Sequence, residues 1–241
     1  MSCVIVGCAP HLDDLDLSLL DGLCETFVCN RFYRCFPEPA FRPTYYVCAD
    51  RRVWRREAQE VRGRPVICLL GDVLFDTKVP GVHNWVPGRT GRRSDPLGEG
   101  ACEPPDIPWY GYGTIHRTGD LKFSVDPEKG FQQAGTVAYD MLQWAVYMGF
   151  TTIGMVGIDL AWPKGTDGNR KDNVVTHAGG MNGWEHDAFP LYTDYNLKYF
   201  RYAAKVLPGR GVDVYNLAPG GKLDAFHRET LPAFANKLSV R

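Results

Sequence analysis

The chain of 241 residues has almost no excess charge, with 27 Lys and Arg against 28 Asp and Glu and a formal net charge of -1. A dedicated nucleic-acid binder draws affinity from a basic surplus, so that class loses its main electrostatic argument. No apolar run approaches the ~20 residues of a membrane span. The N-terminus, Met1-Ser2-Cys3-Val4-Ile5-Val6-Gly7, lacks the charged head and long apolar core of a signal peptide, and N-x-Ser/Thr sequons are absent. The expectation is a soluble cytoplasmic protein, with peripheral membrane attachment compatible and a homo-oligomer left open. The cysteines Cys3, Cys8, Cys24, Cys29, Cys35, Cys48, Cys68 and Cys102 contain no C-x2-C pair, which disfavours zinc and thioredoxin-like chemistry. Cys24, Cys29 and Cys35 also lack a matching fourth cluster ligand. A chain of this length buries roughly 70–75% of its unfolded surface without help from metal or disulfide. The cysteines therefore read as small, reduced core residues.

Several catalytic signatures are missing as well. There is no G-x4-G-K-Ser/Thr, no H-E-x-x-H and no G-x-Ser-x-G. Gly111-Tyr112-Gly113-Thr114-Ile115-His116 lacks the third glycine and the preceding strand of a dinucleotide fingerprint, which disfavours hydride transfer. Asp14-Leu15-Asp16 matches a metal-binding D-x-D but lies among Leu12, Leu17, Leu19 and Leu20 on a stretch read as helical, where a solvated face is the simpler account.

What is present is an ordinary globular composition, 44% hydrophobic, 23% charged and 12% aromatic. Short stretches at 3–6, 25–30, 44–48, 66–70 and 151–156 and the alternating 212–216 read as strands. Helical patterns separate them: Asp50 as an N-cap before 51–61, Ala138 to Met148 ending at Gly149, and Thr193 to Val206 with Asp194 in the first turn. Helical segments divided at Thr230-Leu231-Pro232 close the chain. Strands alternating with helices predict an α/β fold, a doubly wound, mostly parallel Rossmann-like sheet in a single domain over 1–241. Two polar, Pro- and Gly-rich insertions interrupt it at about 71–126 and 163–190, the first read as a lid that Trp85, Trp109, Tyr110 and Tyr112 help to pack.

In such a sheet, ligands bind outside the carboxyl ends of the strands. The residues there are Gly7-Cys8-Ala9-Pro10, Asn30-Arg31, Ala49-Asp50, Gly157-Ile158-Asp159 and 216–221. Gly7 and Ala9 lack bulk, so their backbone N–H groups are candidates to approach a phosphate. Of the six histidines, His11, His83, His116, His177, His186 and His227, two lie in the insertion after the Asp159 strand. His177 and His186 are the candidate acid–base groups, because imidazole titrates near neutrality and mobile loops often carry such groups. A surface histidine without chemistry is the alternative for each.

Val4-Ile5-Val6-Gly7-Cys8-Ala9-Pro10-His11-Leu12, with Cys29-Asn30-Arg31-Phe32-Tyr33, resembles the start of the bacterial sialyltransferases of the Campylobacter type. In that family a G-x-G-P-S-L loop and a C-N-x-F-Y segment surround a CMP-sialic acid donor. Gly135 with its helix, Gly149-Phe150 and Gly157-Ile158-Asp159-Leu160 are similar to its second block. Thr176-His177 and 216–221 fit a broader group, the motility-accessory proteins and archaeal hydroxymethylpterin pyrophosphokinases. The resemblance implies a glycosyltransferase that moves a sugar from a CMP-activated donor to a hydroxyl acceptor. Gly7, Cys8, Ala9, Pro10 and Asn30 would then contact the nucleotide, with Gln133, Gly135 and Thr136 near phosphate or donor sugar and Asp159 on the same edge. His186 or His177 would be the base.

This sequence departs from that pattern at Cys8, Ala9 and His11 in the opening loop, at Phe131, roughly where the sialyltransferases keep an arginine, and at Ala161-Trp162 in place of tyrosines. The expected partners are a nucleotide donor and a glycan, with no metal or other cofactor. The alternatives are a pterin pyrophosphokinase, which would use ATP and magnesium at Asp50 and Asp159, and a non-catalytic nucleotide- or glycan-binding protein.

Overall fold

A computed structural model describes residues 1–71, 107–112, 114–115, 120–127, 129–160 and 189–240, with side chains for all of these except 114–115 and 189–192. Strands β1 (Ser2–Val6), β2 (Glu25–Cys29), β3 (Tyr45–Cys48), β4 (Ile67–Gly71) and β5 (Trp109–Tyr112) line up outward in sequence order. β6 (Thr114–Ile115) and β7 (Phe131–Gln132) form a separate parallel pair. β8 (Thr152–Val156), β9 (Asp213–Asn216) and β10 (His227–Arg228) extend the main sheet from the other side of β1. The order is β10-β9-β8-β1-β2-β3-β4-β5 and every pairing is parallel. The chain reverses its direction of build between β1 and β8, which makes their carboxyl ends the topological switch point.

Among the described residues five α-helices cover the sheet: α1 (Phe32–Cys35), α2 (Arg51–Val61), α3 (Val137–Tyr147), α4 (Phe189–Val206) and α5 (Leu231–Ser239). Strand side chains alternate between faces, and both faces are apolar here. Cys3, Ile5, Phe27, Val47 and Leu69 pack with Met141, Leu142 and Ala145 of α3 and Phe200 and Ala203 of α4. Val4, Val6, Val28, Tyr46 and Cys68 pack with Phe32 of α1, Trp54 of α2 and Phe234 of α5. This two-sided burial is why β1 to β4 read as short apolar runs rather than as alternating ones. The seven described cysteines are free thiols, most of them buried in these layers. Among the described residues no helix is long and apolar enough to cross a membrane.

The α/β, doubly wound reading holds, with local corrections. Trp109–Tyr112, placed by the sequence inside an irregular insertion, is the edge strand β5, and Tyr112 is fully buried against Phe131 and Trp144. The leucine-rich 10–20 stretch forms two 3-10 turns, Pro10–Asp14 and Leu17–Leu20, and Asp16 caps the second through Ser18 N–H. α4 starts at Phe189, four residues before Thr193, so Asp194 is not in its first turn. The residues before Thr230 contribute β10 rather than a helix, while Thr230 caps α5, accepting from Ala233 N–H. Most of 71–126 and of 163–190, including the proposed lid and Trp85, lies outside the described residues.

Candidate functional site

The β1 and β8 ends come together because neither carries a side chain where they meet. A Cβ on Gly7 would stand 2.1 Å from the Gly157 carbonyl oxygen and 2.9 Å from Ile158 Cγ1. Gly7 N–H donates to Val156 O at 2.8 Å and Ala9 N–H to Gly157 O at 3.1 Å. The sequence reading of these amides as free for a phosphate is therefore corrected. Gly7 and Ala9 use them to tie the two strand ends together, and Gly7 is small for the sake of that approach.

The tie sets up the next contact. Pro10 opens the first 3-10 turn, which directs His11 back across the switch point, and His11 Nδ1 lies 2.9 Å from Asp159 Oδ2. Asp159 is fixed from behind: its carbonyl accepts from Lys222 N–H at 2.7 Å, and Gly221 presses on its backbone so closely that a Cβ there would come within 2.7 Å. Leu160, the next residue, is held at φ 49, a left-handed conformation that costs a bulky residue free energy. The 216–221 loop that delivers this support is itself braced. Asn216 Nδ2 donates to Leu223 O, and Arg228 donates to the carbonyls of Ala218 and Gly220.

His11 and Asp159 are each mostly buried, with side-chain exposures of 14% and 19%. His11 Nε2 and Asp159 Oδ1 have no hydrogen-bond partner among the described residues. An orphaned buried polar atom costs about 1–3 kcal/mol, so this pair is expensive for the protein to keep without a ligand. In the sequence His11 stands out only as a departure from the serine of the G-x-G-P-S-L loop. Its partner is 148 residues away, a separation that no local pattern reports.

On the other side of β1, Asn30 ends β2 at φ 50, a conformation that asparagine tolerates. Its carbonyl accepts from the Tyr46 hydroxyl at 2.7 Å, and its own side-chain Oδ1 is a further buried acceptor without a partner among the described residues. Cys8 points its thiol at the Cys29 carbonyl, 3.6 Å away. Hydrogen bonding with Cys29 and burial hold it well above the ordinary thiol range, so it is a protonated packing group rather than a nucleophile. Arg31 is buried, and burial pulls its guanidinium down while Glu57 pulls it up. Glu57, on α2, is itself pushed up by burial and drawn back by Arg34, whose Nε lies 3.1 Å from Oε2.

Gln133, Gly135 and Thr136 arrive from β7. Gln143 of α3 holds that strand, its Oε1 accepting from Gln132 N–H and its Nε2 donating to Gln132 O. Tyr195 donates its hydroxyl to Gln133 O, and Gly135, at φ 75, lies where a Cβ would meet Asn196 Oδ1 at 2.9 Å. α3 runs into β8 through the short link 148–151. Its 11 residues, at about 1.5 Å each, match the length of a five-residue strand at about 3.3 Å each. Thr136 therefore returns to the level of the carboxyl edge. Its hydroxyl accepts from Ala138 N–H at 3.3 Å as the N-cap of α3. Thr136→Ala should cost about 1 kcal/mol in denaturant unfolding, and Thr136→Ser should restore most of it.

Phe131 does not belong to this edge. It is wholly buried in the core, its ring 5.3 Å from that of Tyr112 and 5.2 Å from that of Trp144. Asp50 caps α2, accepting from Arg52 and Val53 N–H. No group of three or more His, Cys, Asp or Glu placed to hold a metal ion occurs among the described residues. His177 and His186 lie outside the described residues. The structure thus gathers Gly7, Cys8, Ala9, Pro10, Asn30 and Asp159 on the ends of three neighbouring strands and adds His11 to them.

Neither a protein-family model nor a curated protein matches the chain. Among solved structures it is similar to the MAf glycosyltransferase from Magnetospirillum magneticum AMB-1, with a TM-score of 0.53 and 13% identity over 99% of this chain. The chain spans 36% of that protein's length. At this identity the likeness is one of fold.

Proposed function

We propose that the chain is a glycosyltransferase that moves a sugar from a nucleotide-activated donor, a CMP-linked nonulosonic acid, to a hydroxyl acceptor with inversion and without a metal cofactor. The observation that carries the reading is the convergence of Gly7 to Pro10, Asn30, His11 and Asp159 on the switch point of a sheet whose fold is shared with a glycosyltransferase. Asn30 Oδ1, a buried acceptor, suits a nucleoside donor group such as the exocyclic amine of cytosine or a ribose hydroxyl. The N-terminus of α3, with Gln133, Gly135 and Thr136 leading into it, offers partial positive charge to the donor phosphate. With a chain this close to neutral, the charged donor is held by such local geometry rather than by a long-range field.

Calorimetric titration with CMP, UDP, ADP and ATP, each with and without magnesium, tests this. CMP should bind without magnesium and at least about tenfold more tightly than UDP or ADP, a difference of about 1.4 kcal/mol. Tight ADP or ATP binding that requires magnesium, with none for CMP, would overturn the proposal in favour of pyrophosphoryl transfer.

A further inference from the structure

A neutral imidazole has one protonated nitrogen and one acceptor nitrogen, whereas an ionised carboxylate only accepts. In the neutral form of His11, Asp159 Oδ2 at 2.9 Å from Nδ1 places the proton on Nδ1 and leaves the Nε2 lone pair free. In that form Nε2 and Asp159 Oδ1 are both buried acceptors without a partner among the described residues. The group that complements two orphaned acceptors is a hydrogen-bond donor. A nucleotide phosphate is predominantly an acceptor, while an alcohol brings a proton, so the pair matches the acceptor substrate better than the leaving group.

We infer that His11 Nε2 is the base that removes the proton from the acceptor hydroxyl, and that Asp159 is the residue that positions it. The inference rests on the nucleotide-sugar reading above. In the step, the hydroxyl oxygen forms its bond to the anomeric carbon as its proton passes to Nε2. The bond from that carbon to the phosphate oxygen breaks, and its electron pair leaves on the nucleotide. The resulting imidazolium, protonated on both nitrogens, is stabilised by the Asp159 carboxylate. Both members stand in the segments that follow central strands and are tied by the Gly7 and Ala9 amides and by Lys222 N–H, which gives the base the fixed geometry that proton transfer requires.

The test uses the whole chain, CMP-linked sialic acid as donor and water as the simplest hydroxyl acceptor, with CMP release as the readout. Nitrogen-15 NMR of the wild-type imidazole rings should find the neutral His11 proton on Nδ1. In Asp159→Asn it should move to Nε2, because an amide can donate to Nδ1. His11→Gln should lower CMP release by about 10²–10⁴-fold while CMP binding measured by calorimetry persists. A wild-type proton on Nε2, or unchanged release by a folded His11→Gln, overturns the inference. In either case persistent CMP binding leaves the nucleotide-sugar reading standing, and loss of release in His177→Ala or His186→Ala then assigns the base to that loop. If His11→Gln fails to fold, the wild-type tautomer decides alone. A wild-type protein that neither binds CMP nor releases it overturns the nucleotide-sugar reading and this inference with it.

Discussion

Gly7→Ala should lower stability by about 3 kcal/mol, near the upper end of ordinary overpacking costs. The added methyl would stand 2.1 Å from the Gly157 carbonyl oxygen, and the nearest three atoms include two of that residue's backbone. A flexible side chain could swing away, but this carbonyl also accepts from Ala9 N–H, and Gly7 N–H is bound to Val156 O. Relief therefore requires the ends of two central strands to separate. For a chain of this length, 3 kcal/mol corresponds to a fall in Tm of roughly 6–12 °C. Gly220→Ala is the control, since a Cβ there meets nothing within 4 Å, and it should stay within about 0.5 kcal/mol of wild type. Thermal unfolding followed by circular dichroism reads both. Equal stability of the two variants would mean that the strand ends are not in contact.

A larger loss is expected from Phe131→Arg, the substitution that would restore the arginine of the resembled sialyltransferases. Removing a buried phenyl ring costs about 3–5 kcal/mol, and an unpaired buried guanidinium adds several more. The sum is comparable with the whole stability of a typical domain, about 5–15 kcal/mol. The ring is fully buried: Tyr112 and Trp144 pack against it, and its strand is pinned by Gln143. The variant should be recovered unfolded or aggregated in size-exclusion chromatography, whereas Phe131→Leu should remain folded. A folded Phe131→Arg that binds CMP more tightly than wild type would place residue 131 at the donor after all.

The contrast between Phe131 and His11 shows which kind of information a single sequence carries. Strands β1, β2, β3, β4 and β8 are legible to within one or two residues because each is a short apolar run buried on both faces and punctuated by Gly, Pro or polar residues, and β9 is legible from its alternation of apolar and polar residues. The caps of α2, α3 and α5 follow from local chemistry at Asp50, Thr136 and Thr230. The edge strand Trp109–Tyr112 was hidden because its pairing with β4 comes after a long polar stretch. β7 is too short to have a period and is shaped by Gln143, a tertiary contact. At the site, position along the chain identified which strand ends to read, but it did not show which groups meet there. The His11–Asp159 contact depends on two strands far apart in sequence lying side by side, and the engagement of the Gly7 and Ala9 amides depends on the same adjacency.

That adjacency also sets a schedule for folding. Ser2 pairs with Thr152, and the Met1 carbonyl accepts from both Thr151 and Thr152 N–H. At ordinary translation rates roughly 8–30 s separate the synthesis of these two partners. During that interval β1 can pair with β2, but its other edge displays bare backbone donors and acceptors to any neighbouring chain. The arrival of β8 covers that edge and, in the same docking event, brings Asp159 to His11. Slowing synthesis between β4 and β8 would prolong the interval in which nascent chains can associate, so the yield of soluble protein and the yield of assembled site should fall together.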